Sequence, residues 1–368
     1  MKQRISNITI LTAAIAAMLC FSSIGTAQDT AEDKITTWDS APALRGGPAV
    51  FKTVLIEDEE GDPVEAGRSA ARALLDRMAG TVPKAVIVSE CFEDLEYKEA
   101  LLRGIASIIP REKIFGLSSY GSFTRRGISD FDAVTLLGIG GGGIGVRTSL
   151  IKDMGASKLL MEEDEAKIEK FLTESGQKLA KSLGEPSTVP NDQFMIVLAD
   201  AHSPKNAFLV NGLQKVVGPR FPITGGSANK NAGQTYVYYQ GKPYTDAAMA
   251  LIVTGDFNVT MAGRQAKDED TVIRTAGEGL REALDKIANR DEQPMLVMAF
   301  DCAGRRSRLD NMEDELDAIR YEMGRSIPLF GSYQAGEIGP VDSSGDLETD
   351  LKYGGEGWHV MFTVISVK

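Results

Sequence analysis

The chain alternates between short, continuously apolar runs and longer stretches in which apolar residues recur at helical spacing. Three of the short runs, residues 84–90, 193–200 and 294–301, are rich in branched or bulky side chains, and each ends on an acid: Glu90, Asp200 and Asp301. Continuous apolarity over so few residues fits strands covered on both faces. Helical faces precede them (Ala70, Ala73, Leu74 and Met78; Ile168, Phe171, Leu172, Leu179 and Leu183; Ala276, Leu280, Leu284 and Ile287) and run out at Gly80, at Gly184 and near Asn289. Further faces follow them, built on Leu101, Ile105 and Ile108, on Leu209, Leu213 and Val216, and on Leu309, Met312, Leu316, Ile319 and Met323. These are amphipathic spacings with C-terminal breakers.

Each second helix leads into an apolar entry and a loop of small residues, at 114–121, 223–229 and 329–337, and then into another strand, at 133–139, 248–254 and 359–367. The order helix, strand, helix, strand, Gly-rich loop, strand therefore occurs three times, with the acids 110 and then 101 residues apart. Such a repeat is the signature of a duplicated structural unit. The pattern predicts an α/β fold in which three related units pack into one body, with the three acids at corresponding strand ends. Residues 50–56 read as an extra strand entering the first unit.

The first 27 residues read differently. Lys2 and Arg4 precede an uncharged apolar run from Ile8 to Ile24, and the small residues Gly25, Thr26 and Ala27 suit cleavage before Gln28. This is the pattern of a signal peptide, so the protein is expected in the periplasm or outside the cell. Residues 28–48 are polar and rich in breakers, and read as a linker. Net charge is −12, and the leader holds two cations and no acid, so the mature chain is more acidic still. That balance argues against nucleic acid as a partner. No later stretch is long and apolar enough to predict a membrane span. Cys91 and Cys302 remain after the leader, each following an acid of the repeat, and one bridge between them is expected to be permitted in an oxidising compartment.

Ligands of open α/β sheets sit beyond the carboxyl ends of the strands, which draws attention to Glu90, Asp200, Asp301 and Cys302. The small-residue loops add Ser118 and Ser119, then Gly226, Ser227 and Asn229, then Tyr333, Gly336 and Glu337. Glycine there lets backbone amides approach a ligand, while hydroxyls and amides add direction. The competing use of these loops is as tight turns, with the acids capping helices. The third unit concentrates charge, with Arg305, Arg306 and Arg308 within four positions at a helix start. Cations at the positive end of a helix fit either an anionic partner or internal pairing with Glu313, Asp314 and Glu315. On the first alternative, Arg305 grips a carboxylate and Glu337 an ammonium across one cavity.

The sequence Cys302-Ala-Gly-Arg305, an amphipathic helix, and Gly331-Ser-Tyr-Gln-Ala-Gly-Glu-Ile338 together resemble the C-terminal half of FIST domains. Residues 116–121 and 221–228 are similar to the Ser/Gly loops of the N-terminal half and of the junction. The resemblance covers residues 50–368 and implies an N-terminal-like region at 49–222 and a C-terminal-like region at 223–368. It implies a sensory domain for small ligands, with amino acids as the ligand class and no cofactor. Members are often fused to signalling modules, so an exported chain implies a separate signalling or transport partner, or a carrier role.

Other motifs in the chain fit less well. Gly138–Gly143 satisfies G-x-G-x-x-G, but strand-like residues 144–151 follow where a dinucleotide site needs a helix. His202 and His359 form no metal-binding pattern, so no metal is expected. The alternative function is a cysteine-dependent hydrolase, with Cys302 activated by Arg305 and Arg306 and His202 as its base.

Overall fold

The computed structural model describes residues 28–29, 34–40, 43, 47–184, 193–229, 233–287, 291–324, 326–341, 354–355 and 357–367. The expected signal peptide, and the helix end near Asn289, lie outside them.

The first unit runs β3 (Val50–Glu57), α1 (Pro63–Arg77), β4 (Pro83–Glu90), α2 (Leu95–Ala106), β5 (Ile114–Ser118), β6 (Ser122–Thr124), β7 (Gly127–Ser129) and β8 (Ala133–Gly140). The second runs β9 (Ile144–Ile151), α3 (Met161–Ser182), β10 (Gln193–Ala199), α4 (Asn206–Val217), β11 (Ile223–Ser227), β12 (Val237–Tyr239), β13 (Lys242–Tyr244) and β14 (Ala248–Gly255). The third runs β15 (Asn258–Gln265), α5 (Glu269–Asp285), β16 (Gln293–Cys302), the short α6 (Ala303–Arg306), α7 (Met312–Met323), β17 (Leu329–Gln334), β18 (Glu337–Ile338) and β19 (His359–Val367). The α/β repeat is present three times, and each unit opens on a strand: β3, β9 or β15. The G-x-G-x-x-G segment joins β8 to β9 with no helix after it.

Each unit builds one sheet: β3-β8-β4-β5, β9-β14-β10-β11 and β15-β19-β16-β17. In each the last two strands are parallel and the other pairs antiparallel. The short strand after each small-residue loop leaves its own unit. β12 of the second unit pairs with β5 of the first, β6 of the first with β17 of the third, and β18 of the third with β11 of the second. The donation is cyclic, so every sheet is completed by a neighbour. In each case the donated strand sets a bulky residue opposite a glycine: Tyr238 opposite Gly116, Phe123 opposite Gly331, Ile338 opposite Gly225.

Strand alternation sorts side chains into two kinds of core. Ala85, Ile87, Phe194, Ile196, Leu198, Leu296, Met298 and Phe300 join one central cluster fed by all three sheets. The alternate residues face outward beneath helix pairs: Val86 and Val88 under α1 and α2, Met195 and Val197 under α3 and α4, Val297 and Ala299 under α5 and α7. Part of the expected linker is structured. β2 (Ile35–Asp39) extends the second sheet along β9, with β1 (Gln28–Asp29) outside it, and Trp38 is buried in the central cluster. The alternation in Ile35-Thr-Thr-Trp38 carries this, since one face of the strand meets the core.

The repeat extends to the backbone. Asp132, Asp246 and Trp358 occupy equivalent positions before the last strand of each unit, with φ of 37°, 46° and 61°. Their carbonyls accept equivalent bonds from Asp58, Met154 and Ala266. Two helix pairs cross closely at glycine. A Cβ on Gly104 would lie 2.1 Å from the Val64 carbonyl oxygen, and one on Gly212 would lie 2.2 Å from that of Thr173. Glycine to alanine in an open helix stabilises by about 1 kcal/mol. Here the sign should reverse, with Gly104→Ala and Gly212→Ala each costing about 1–3 kcal/mol through overpacking. Urea unfolding midpoints check this, and a raised midpoint would contradict the crossing geometry.

Candidate functional site

Register decides where the strand-end acids point. Ile114, Ile223 and Leu329 are opposite Val86, Met195 and Val297, which makes Glu90, Ala199 and Asp301 equivalent. Asp200 stands one residue further on, equivalent to Cys91 and Cys302. The expected correspondence of three acids therefore holds for two. A one-residue offset turns a side chain to the other face of its sheet. Glu90 and Asp301 point outward under the helices, while Asp200 shares the inward direction of Cys91 and Cys302.

The two outward acids are locked in internal networks. Glu90 is buried and accepts from Lys98 Nζ at 3.1 and 3.2 Å, from Phe92 N at 2.9 Å and from the Tyr238 hydroxyl of the donated strand. Asp301 accepts from Arg305 Nε at 2.9 Å, and Arg305 also donates to Glu315 at 2.7 Å, Thr275 at 3.2 Å and the Val272 carbonyl at 3.0 Å. Tyr333 donates to the other Glu315 oxygen at 3.1 Å. Burial, then Glu315, pushes the Asp301 carboxyl well above its usual range. One guanidinium thus faces two carboxyl groups.

This corrects the expectation for Arg305. Its side chain is fully buried and its donors go to protein partners, so it faces no cavity shared with Glu337. Internal pairing prevails, through Glu315. Arg306 stacks on Tyr120 at 4.2 Å and pairs with Asp130, and Arg308 stacks on Trp358 at 4.9 Å.

The loop hydroxyls mainly tie segments together. Ser118 Oγ donates to the Asn229 carbonyl at 2.9 Å, Ser119 Oγ to that of Glu90 at 3.0 Å, and Ser227 Oγ to that of Ala201 at 2.6 Å. The Gly336 carbonyl accepts from Ser227 N at 2.7 Å, and Gly226 sits opposite Glu337. The inner end of the central cluster is polar: Ser89 and Ser332 bond across two sheets at 2.6 Å, and Ser122 and Thr135 at 2.9 Å.

Cys91 and Cys302 are both buried free thiols, so the bridge that an oxidising compartment would permit is not formed between them. Cys302 Sγ accepts from Gly304 N and Trp358 N at 3.3 Å, and burial and Glu337 push its thiol up to about 12. Arg305 has turned to Asp301 and Glu315, so the activation that a thiolate nucleophile requires is missing. This weighs against the hydrolase alternative.

An open cavity of about 680 Å³ lies at the strand ends of the second unit. Asp200 and His202 line it, together with Lys158, Lys205, Thr235 and Asp246. Asp246, in its left-handed turn, accepts from the amides of Gly155 at 2.8 Å, Ser157 at 3.2 Å and Ala156 at 3.3 Å, which holds the 155–160 loop open as one wall. Lys205 pins the same loop through the Ala156 and Leu159 carbonyls at 3.0 and 2.7 Å. Asp200 receives the Asp246 amide at 2.6 Å and the Thr235 hydroxyl. Of the expected site residues, Asp200 alone lines this cavity. The 155–160 loop and Asp246 were missed, and their signals were the Asp153-Met-Gly155 turn and an acid just before a strand.

Two predictions follow from these surroundings. Arg305→Ala leaves two buried carboxyls without their cation and should destabilise the ligand-free protein by about 3–5 kcal/mol in urea melts. Glu337 is pushed up to about 7, chiefly by burial, from an ordinary 4.5. The neutral form is favoured in the fold, so this stabilisation is full below pH 4.5 and lost as pH rises through 7. Relative to Glu337→Gln, the wild type should therefore lose roughly 3 kcal/mol between pH 4.5 and 8. Parallel urea midpoints for the two proteins would contradict it.

Comparison with known proteins agrees with the motifs. Two family models match: the FIST N domain over residues 84–279, just over half of the chain, and the FIST C domain over residues 244–340. No curated protein matches. Among solved structures, cyanuric acid hydrolase from A. caulinodans is similar at 10% identity over 87% of this chain and 99% of that one, with a TM-score of 0.43. Phosphoribosylformylglycinamidine synthase II from Thermotoga maritima is similar at 8% identity over 88% and 73%, with a TM-score of 0.27. Likeness this distant carries no argument about activity. On the family match, the chain belongs to the FIST family, whose domains are sensory and bind small ligands.

Proposed function

We propose that this protein is an exported sensor or carrier for a small zwitterionic ligand of amino-acid size, held in the cavity between Asp200, His202 and the 155–160 loop. The observation that carries the reading is that cavity, about 680 Å³, at strand carboxyl ends and built by residues already fixed by internal bonds. Its size is within the range of small-molecule sites. Its charges have both signs, with Lys158 exposed at the mouth and the Asp200 and Asp246 carboxylates at the wall. Each Asp200 oxygen accepts one bond from the protein, and a carboxylate oxygen has room for a second. An ammonium on Asp200 and a carboxylate on Lys158 is the arrangement we favour. The leader-like residues 1–27 support export, and a report of occupancy then requires a separate signalling or transport partner.

The test is a thermal-shift screen of residues 28–368 against amino acids and small organic acids, with calorimetry on hits. A binder gains about 2.7 kcal/mol of stability at a hundredfold excess of ligand over Kd. Lys158→Ala and Asp200→Asn should each weaken binding by about 1.5–3 kcal/mol, the range for a hydrogen bond to a charged group. Lys158→Ala should leave the melting temperature of the empty protein unchanged, because its side chain is exposed. A flat screen, or full affinity in both variants, would overturn the assignment.

A further inference from the structure

We infer that the ligand of the open cavity is an amino acid whose side chain carries a second carboxylate, received by Lys205, a step that rests on the reading of that cavity as a binding site. Among the described residues, Asp200 and Asp246 are the carboxylates of the lining and Lys158 and Lys205 its ammonium groups. A carboxylate offers about four acceptor sites. Asp246 fills three with the consecutive amides of Gly155, Ala156 and Ser157, at 2.8, 3.3 and 3.2 Å, so its main task is to hold the loop. Asp200 fills two, with the Thr235 hydroxyl and with the Asp246 amide at 2.6 Å. That leaves Asp200 the better seat for the ligand ammonium.

Lys205 is the charge that a simple zwitterion does not use. An ammonium has three donors. Two go to the Ala156 and Leu159 carbonyls, at 3.0 and 2.7 Å, which bracket Lys158 in the chain. Both acceptors are neutral, the side chain is half-buried, and no carboxylate partners it among the described residues. A charge-assisted bond to a carboxylate is stronger than one to a carbonyl. With the α-carboxylate on the exposed Lys158, the third donor of Lys205 is left for a second anion.

A cavity of about 680 Å³ leaves room beyond the α-amino and α-carboxyl groups, so the ligand side chain also lies against the lining. Leu160, 56% exposed, and Ala201 give its methylenes an apolar surface. A wholly apolar side chain would fit that surface too. It would, however, take water from Lys205 and supply no anion in return, an uncompensated cost for an ammonium. An acidic side chain supplies the anion.

The test is calorimetry on residues 28–368 with L-glutamate against L-glutamine, L-aspartate against L-asparagine, and L-leucine. Each acid and its amide have nearly the same shape and differ by one charge. At least one acid should bind about tenfold or more tightly than its amide, because a charge-assisted hydrogen bond is roughly twice as strong as a neutral one. In Lys205→Met, which removes the charge, that preference should vanish. If Lys205 only held the loop, the substitution would weaken acid and amide alike and keep their ratio, an outcome that overturns its assignment. The wild-type comparison needs no variant, so a substitution that fails to fold leaves the test standing. An amide, leucine or any other amino acid bound as tightly as the acids overturns the second carboxylate and leaves the cavity a binding site. Silence across the whole amino-acid screen overturns both.

Discussion

The short strand that each unit gives to a neighbour is the constraint from which the rest of this structure follows. A two- or three-residue strand is far too short to hold a sheet edge by itself. Here it stays because its bulky residue covers the bare backbone of a glycine: Tyr238 over Gly116, Phe123 over Gly331, Ile338 over Gly225. A side chain at those glycines would collide. An added Cβ on Gly225 would lie 1.8 Å from the Val197 carbonyl oxygen, and one on Gly331 would lie 2.1 Å from the Phe123 ring. Because the donation is cyclic, no unit has a complete sheet alone. The central cluster is fed by all three, and buried polar bonds such as Ser89 to Ser332 cross between units where the inner faces meet.

The same geometry separates structural charge from accessible charge. Outward positions at the strand ends lie beneath helices, where an ion must bring its own partners. Glu90 has Lys98 and the Tyr238 hydroxyl, and Asp301 has Arg305 and Glu315. Inward positions one residue later meet the loops. The offset of Asp200 therefore does more than break a pattern. It moves one acid out from under its helices and onto the wall of the open cavity, leaving Ala199 at the packed position.

Much of this was legible in the sequence. The three apolar runs, their flanking helical faces and the small-residue loops gave the α/β repeat, because burial on both faces leaves a strong signal. What was not legible has physical reasons. Two- and three-residue strands such as Glu337–Ile338 carry no periodicity. The equivalence of Asp200 with Cys91 and Cys302 is a matter of register, and residue type alone pointed to the other acids. Arg305 at a helix start looked free for a ligand because Asp301 and Glu315 close on it only in three dimensions. Thr36 to Trp38 read as linker because its partner, β9, lies more than a hundred residues away.

The cyclic arrangement also bears on how occupancy of a cavity could be reported. The wall made by residues 200–206 is tied to the segment that leads from β17 into β18, through Ser203 N to the Ala335 carbonyl at 3.1 Å and Asn206 to the Glu337 carbonyl at 3.3 Å. Ser227, next to that wall, holds the Gly336 carbonyl from its amide and the Ala201 carbonyl from its hydroxyl. A ligand that shifts the backbone next to Asp200 or His202 therefore acts on segments bonded to the β17–β18 connection that carries Glu337. Any such displacement would change the surroundings of a carboxyl that burial pushes up to about 7. Coupling of this kind needs no long chain of intermediates, because the wall and the β17–β18 connection are in direct contact, and it runs equally in both directions. A sensor assembled from three interlocked units can thus pass a local change to a neighbour through the strand it already shares.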